Sequence, residues 1–82
     1  MTAQTQTLTD QLRDLIVAKY GAPKDVTAET PFELLDFDSL TLIEVAVGLS
    51  GRYQIAVTGD ELQEAGTIAG TVALLQAKGV RA

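Results

Sequence analysis

Between Ser39 and Ser50 the chain reads Ser-Leu-Thr-Leu-Ile-Glu-Val-Ala-Val-Gly-Leu-Ser, apolar nearly all round, with only Thr41, Glu44 and Gly48 interrupting. A surface helix ordinarily carries one apolar stripe and one polar face. Here two apolar lines run side by side. Leu42, Ala46, Leu49 and Tyr53 follow at steps of four, three and four, and Leu40, Ile43 and Val47 at steps of three and four. One line can face a core. The other is surplus, and a surplus apolar line on a small domain marks a contact surface. Ile43, Val45 and Val47 would also suit a β-strand, but the run is long for one and lacks clean alternation.

The residues that open this helix, Phe37-Asp38-Ser39-Leu40, end a long acidic loop. Asp38 or Ser39 can cap the helix, because a short side-chain oxygen accepts a bond from an unpaired first-turn N–H. The Ser39 hydroxyl then stands at the positive end of the helix, where a phosphate is favoured. Two readings stay open: a plain cap, or a point of covalent attachment.

Size and composition narrow the choice. The 82 residues form one domain, 1–82, with a folded core expected over about 7–78. A domain this short buries only about 60–65% of its unfolded surface, so its stability is modest. It has no cysteine, which removes disulfides and thiolate chemistry, and no histidine, which removes the commonest general base and metal ligand. Lys19, Lys24 and Lys78 have no spacing that links them to Ser39, so a small serine hydrolase has little support.

Charge is unevenly spread. Asp25, Glu29, Glu33, Asp36, Asp38 and Glu44 lie between Asp25 and Gly51 with no Lys or Arg among them, while the rest of the chain is nearly neutral. Nucleic acid would be repelled. The acidic stretch either keeps the domain soluble or draws in basic protein surfaces. Met1 to Thr9 is Thr/Gln-rich without the apolar core of a signal peptide, and no run is long enough to cross a bilayer. The expectation is a cytoplasmic monomer with neither membrane nor nucleic-acid partners.

Elsewhere, Leu8, Leu12, Leu15, Ile16 and Lys19 predict a first helix backed by Asp10, Arg13 and Asp14, with Thr7 and Asp10 at capping-box spacing and Gly21 and Pro23 as the stop. The segment from Gly21 to Asp38 is a long loop, pinned by Val26, Phe32, Leu34, Leu35 and Phe37, with a short helical turn near Pro31. Gly51 ends the second helix, and Arg52 to Val57 is short and partly β-like. Asp60 to Ala65 makes one or two helical turns, and Thr67 caps a last helix that buries Ile68, Val72 and Leu75 and ends at Lys78-Gly79. The expected core is Leu12, Leu15, Ile16, Phe32, Leu42, Ala46, Leu49, Tyr53, Ile55, Ile68, Val72 and Leu75.

In helix order, loop length and the position of Asp38-Ser39-Leu40, the chain from about Thr7 to Lys78 resembles the acyl carrier proteins. That resemblance implies an all-α antiparallel bundle of three main helices plus one short helix, with a long loop between helices one and two. It implies a carrier, not an enzyme, in which Ser39 bears a 4′-phosphopantetheine arm taken from coenzyme A. Asp38 would position Ser39 during the transfer. Leu40, Ile43, Glu44 and Val47, with Asp36 beside them, would be read by partners: a phosphopantetheinyl transferase and the acyl-transferring and condensing enzymes of a fatty-acid or polyketide-type pathway. A peptidyl carrier would share fold and attachment, and a helical interaction domain without a prosthetic group would use the same stripe.

Three features depart from the family pattern. Asp36 stands where glycine is usual, so the turn before the motif is expected to differ. Ser50, Gly51 and Arg52 occupy positions that are often acidic in fatty-acid carriers, which tilts the reading toward a polyketide-type or other secondary pathway. Gly48 lies inside the helix at a cost of about 1 kcal/mol against alanine, either as room for an acyl chain or for close helix packing.

Overall fold

The computed structural model describes residues 7–80, and within them four α-helices and one 3-10 turn follow in order. Residues 1–6, which hold most of the Thr/Gln-rich stretch read against a signal peptide, and residues 81–82 lie outside the described residues.

Helix α1 spans Leu8–Tyr20 and starts where Thr7 Oγ1 accepts the Asp10 N–H at 3.1 Å. It stops at Gly21, whose φ of 77° is the left-handed conformation that glycine adopts at least cost. Leu8, Leu12 and Ile16 are buried along one face, whereas Lys19 is exposed and Leu15 only half-buried.

The long loop after α1 is fixed by polar bonds as much as by apolar anchors. Arg13 donates to the carbonyls of Val26 (2.8 Å) and Lys24, tacking the loop to α1. The Phe32 N–H donates to the Gly66 carbonyl at 2.8 Å, and the Ala28 carbonyl accepts the Ala69 N–H at 2.8 Å, at the first turn of the last helix. That second bond satisfies a donor which a helix N-terminus leaves without an internal partner. The 3-10 turn spans Phe32–Leu35 and, as expected near Pro31, closes the loop.

Here the anchor assignment needs correction. Val26 and Phe32 are buried and Leu35 and Phe37 half-buried, but Leu34 is 74% exposed. A 3-10 turn has three residues per turn, so Phe32 and Leu35 share a side and Leu34 cannot join them.

Helix α2 spans Ser39–Tyr53 and buries Leu42, Val45, Ala46 and Leu49. It does not end at Gly51. It runs on to Tyr53 and closes at Gln54, a non-glycine residue at φ 58°, whose side-chain amide donates to the Gly51 carbonyl at 2.9 Å. The following stretch forms no strand, in contrast to the β-like reading. It is held by Ser50, whose hydroxyl accepts the Val57 N–H at 3.1 Å and faces the Val57 carbonyl at 3.3 Å. Tyr53 and Ile55, expected in the core, are half-buried.

Helix α3, Gly59–Ala65, opens with a full capping box between Thr58 and Glu61. Helix α4, Ile68–Ala77, opens on Thr67, whose hydroxyl accepts the Gly70 N–H at 2.9 Å, and buries Ile68, Val72 and Leu75 as expected. Leu62, at 0% exposure, belongs to the same core. The result is an all-helical bundle of three main helices and one short one. Among the described residues no helix is long and apolar enough to cross a membrane.

Gly48 is explained by packing. The Tyr20 hydroxyl reaches across from α1, donating to the Glu44 carbonyl at 3.3 Å, and a Cβ on Gly48 would lie 2.8 Å from it. Of the two roles open at this position, close helix packing is the one realised.

Leu49 has no exposed surface. Leu49→Ala should lower unfolding free energy by about 2–5 kcal/mol in urea denaturation, and Leu40→Ala on the outer line by no more than about 0.5 kcal/mol.

Candidate functional site

Asp38, not Ser39, caps α2. Its φ and ψ of −78° and −179° are extended, and its Oδ1 accepts the Thr41 N–H at 2.8 Å. Ser39 is therefore the first helical residue and is exposed, with its hydroxyl not needed for the cap. The division of labour between two adjacent residues leaves one oxygen bound to the backbone and the other free for chemistry.

The Thr41 N–H bond, followed by the Thr41 hydroxyl, holds the Asp38 carboxyl below the usual aspartate range. The carboxylate is thus ionised at neutral pH beside Ser39. Its charge opposes a second anion there, while the helix N-terminus attracts one. The bond to Thr41 already spends part of the Asp38 charge on the helix.

The approach to Ser39 is set two residues earlier. Asp36 closes the 3-10 turn in the left-handed region, at φ 58° and ψ 30°. This is the conformation the sequence flagged as awkward for a non-glycine residue, and aspartate is among the few side chains that adopt it readily. The Asp36 N–H donates to the Glu33 carbonyl, and the Phe37 N–H to that of Phe32, both at 3.3 Å. The Phe32 and Phe37 rings stack with centroids 5.9 Å apart, which sets the direction in which Asp38 and Ser39 leave the turn.

Beside Ser39 lies a cleft of about 380 Å³. Its floor is Phe32, Phe37 and Leu42, and its mouth carries Glu33 and Asp38 from the loop and Gln63 and Gly66 from the end of α3. Such a volume is at the small end of small-molecule sites. An arm attached at Ser39 has an exposed hydroxyl to join, a favourable helix end for its phosphate and free space alongside, so the residues present fit a phosphopantetheine group. Sequence reading found none of the α3 contribution, because nothing near Gln63 points to a serine 24 positions away.

The outer line of α2 is exposed: Leu40 at 64%, Ile43 at 50% and Val47 at 68%, with Glu44 exposed between them. Part of Ile43 is covered by α3, whose Gly59 comes so close that a Cβ would lie 2.9 Å from Ile43 Cγ1. Leu40, Ile43, Glu44 and Val47 thus share one open face beginning one residue after Ser39, and Asp36, also exposed, stands before it.

Because the folded-state pKa of Asp38 lies below its unfolded value, its ionised form stabilises the helix end above about pH 4 and that contribution is lost as pH falls through the lowered value. An NMR titration should place the Asp38 midpoint below that of an unpaired aspartate, with Thr41 amide protection lost over the same range. In Asp38→Asn that pH dependence should vanish.

Comparison with known proteins bears on the same residues. The family profile described as "Phosphopantetheine attachment site" matches residues 10–75. The chain is similar to the meromycolate extension acyl carrier protein of Mycolicibacterium aurum, 32% identical over 78 residues, which covers 93% of this chain and 80% of that one. No solved structure gives a significant match. The chain belongs to the acyl carrier protein family, whose members are carriers and not enzymes and bear a covalently attached 4′-phosphopantetheine group.

Proposed function

We propose that Ser39 is the attachment residue and that the outer face of α2 is the surface partner enzymes read. The observation that carries this is the placement of an exposed serine hydroxyl as the first residue of α2, released from capping by Asp38 and bordered by a cleft. In the transfer, Ser39 Oγ attacks the coenzyme A phosphorus that bears the pantetheine. The pyrophosphate P–O bond breaks, the nucleotide half leaves, and the serine proton passes to a base of the transferase. Asp38, ionised and fixed through Thr41, would help to position Ser39 and the metal-bound coenzyme A in the transferase complex. Once formed, the phosphodiester is favoured by the N–H groups of the first turn.

When bound, the group supplies the thiol this chain lacks, and acyl intermediates ride on it as thioesters. The chain's own residues then serve recognition. Leu40, Ile43 and Val47 offer apolar contact to a transferase or a biosynthetic enzyme, while Glu44 and Asp36 add negative charge that selects a basic rim.

The pathway is read from the end of α2. Ser50, Gly51 and Arg52 take the place of a commonly acidic segment, and Ser50 is occupied in holding Val57. This supports a polyketide-type or other secondary pathway. A fatty-acyl reading is favoured by one observation, the name of the mycobacterial relative, which is that of a carrier for meromycolate extension.

Incubation with coenzyme A, Mg²⁺ and a broad-specificity phosphopantetheinyl transferase should raise the intact mass by one phosphopantetheine, and Ser39→Ala should abolish the gain. A gain that survives Ser39→Ala contradicts the assignment.

A further inference from the structure

Helix α3 is too short to stand on its own bonds. It has seven residues and buries one side chain, Leu62, whereas isolated helices shorter than about 12–15 residues are marginal in water. What holds it is therefore found at its ends and along its seat.

At the start, one carboxylate has two partners. Glu61 Oε1 accepts the Thr58 N–H at 3.0 Å, and the Thr58 hydroxyl accepts the Glu61 N–H at 3.2 Å. The other oxygen, Oε2, meets Lys78 Nζ at 3.0 Å. Lys78 closes α4, which Ile68, Thr71, Val72 and Leu75 seal into the core, so the ammonium is presented by a firmly held element. Both side chains are about two-thirds covered, which weakens screening by salt and water.

At the far end, α3 is a wall of the cleft beside Ser39. The Gly66 N–H donates to the Leu62 carbonyl at 2.9 Å, and the Gly66 carbonyl accepts the Phe32 N–H at 2.8 Å. Phe32, Gln63 and Gly66 all line the cleft, so that last bond ties its floor to its α3 wall. Between the ends α3 sits on glycine contacts. Its Gly59 lies against Ile43 of α2, and its Ala65 carbonyl lies against Gly70 of α4. A glycine contact lets backbones approach without side chains that interlock, so Leu62 is the one plug that α3 sets into the core.

We propose that α3 is a movable wall of the cleft and that the Glu61–Lys78 pair is its latch. With the pair formed, Gln63 and Gly66 narrow the space that an arm on Ser39 would use. With the pair broken, α3 lifts as one unit, the Phe32–Gly66 bond opens and the cleft widens. The functional weight of the latch rests on Ser39 being the attachment residue, but its existence does not.

Amide hydrogen exchange by NMR tests this on the full chain before an arm is attached. The proteins are wild type, Lys78→Met, Lys78→Arg, Glu61→Gln and the double variant Glu61→Gln with Lys78→Met. Methionine removes the charge and keeps an unbranched stem, and glutamine still serves as a capping-box partner. In wild type the Leu62, Gly66 and Phe32 amides should share one opening constant, about tenfold or more above that of Leu49 in the core of α2. In Lys78→Met and in Glu61→Gln all three should exchange about three- to fivefold faster, the scale of a single ion pair. The double variant should be no faster than either single one, because both remove the same interaction. Lys78→Arg should stay within about 1.5-fold of wild type. In about 1 M NaCl, wild type should approach Lys78→Met, and Lys78→Met itself should not change.

An unchanged Phe32 rate in Lys78→Met would overturn the proposal, because the pair would then fasten only the first turn of α3. So would a Phe32 opening constant equal to that of Leu49, additive effects in the double variant, or a Lys78→Arg protein as fast as Lys78→Met. None of these rates involves the arm, so they stand or fall apart from the mass gain at Ser39.

Discussion

The site depends on how α2 is held: one face is sealed into the bundle and its first turn is fixed by the bond from the Thr41 N–H to Asp38. Burial of Leu42, Val45, Ala46 and Leu49 sets the rotation of the helix about its axis. That rotation leaves Leu40, Ile43 and Val47 outside, and the cap sets where the helix begins. Ser39 is placed by both constraints together. Had Ser39 been the cap, its hydroxyl would have been tied to a backbone N–H. Had α2 turned by one residue, its apolar outer line would have been buried and its core exposed.

The loop before the site is ordered by bonds made far from it. Arg13 grips the carbonyls of Lys24 and Val26, the Gly66 carbonyl at the end of α3 accepts the Phe32 N–H, and Ala69 in the first turn of α4 donates to Ala28. These contacts bring the 3-10 turn, and with it the left-handed Asp36, to a defined position ahead of Asp38. Helix α3 is fixed independently. Glu61 completes its capping box and also pairs with Lys78 at 3.0 Å at the end of α4, and Lys78 is the first cause of its lowered pKa, ahead of the Thr58 N–H. Since α3 carries Gln63 and Gly66 to the cleft, the pair at its far end helps to define the space next to Ser39.

Much of this was legible in the sequence, because helices that bury one face write it at steps of three and four. The two lines of α2, the Thr7 and Thr67 caps, the stop at Gly21 and the awkwardness of Asp36 all follow from local rules. The errors also have local causes. Leu34 was assigned inward by composition, but in a 3-10 turn the inward side belongs to Phe32 and Leu35. Gly51 was taken as a helix stop, yet a glycine stops a helix by adopting positive φ, and Gln54 does so here instead. Val45 was overlooked beside Leu42 and Leu49, although a core-facing stripe is wider than one line. Leu62 had a readable signal: with Thr58 as cap, Val57 and Leu62 occupy the two positions of a hydrophobic staple, and both are buried. The Ser50–Val57 bonds and the reach of Tyr20 to Gly48 join residues whose proximity only the assembled bundle creates.

The central claim is that one hydroxyl, that of Ser39, bears the arm. It is tested most directly on protein isolated from its own organism. Because no Lys or Arg lies between Lys24 and Arg52, trypsin releases a single peptide, residues 25–52, holding Ser39 along with Ser50, Thr27, Thr30 and Thr41. Fragmentation of that peptide should place a phosphopantetheine, with or without cargo, on Ser39 alone. An unmodified peptide, or the group on any other hydroxyl, would contradict the account.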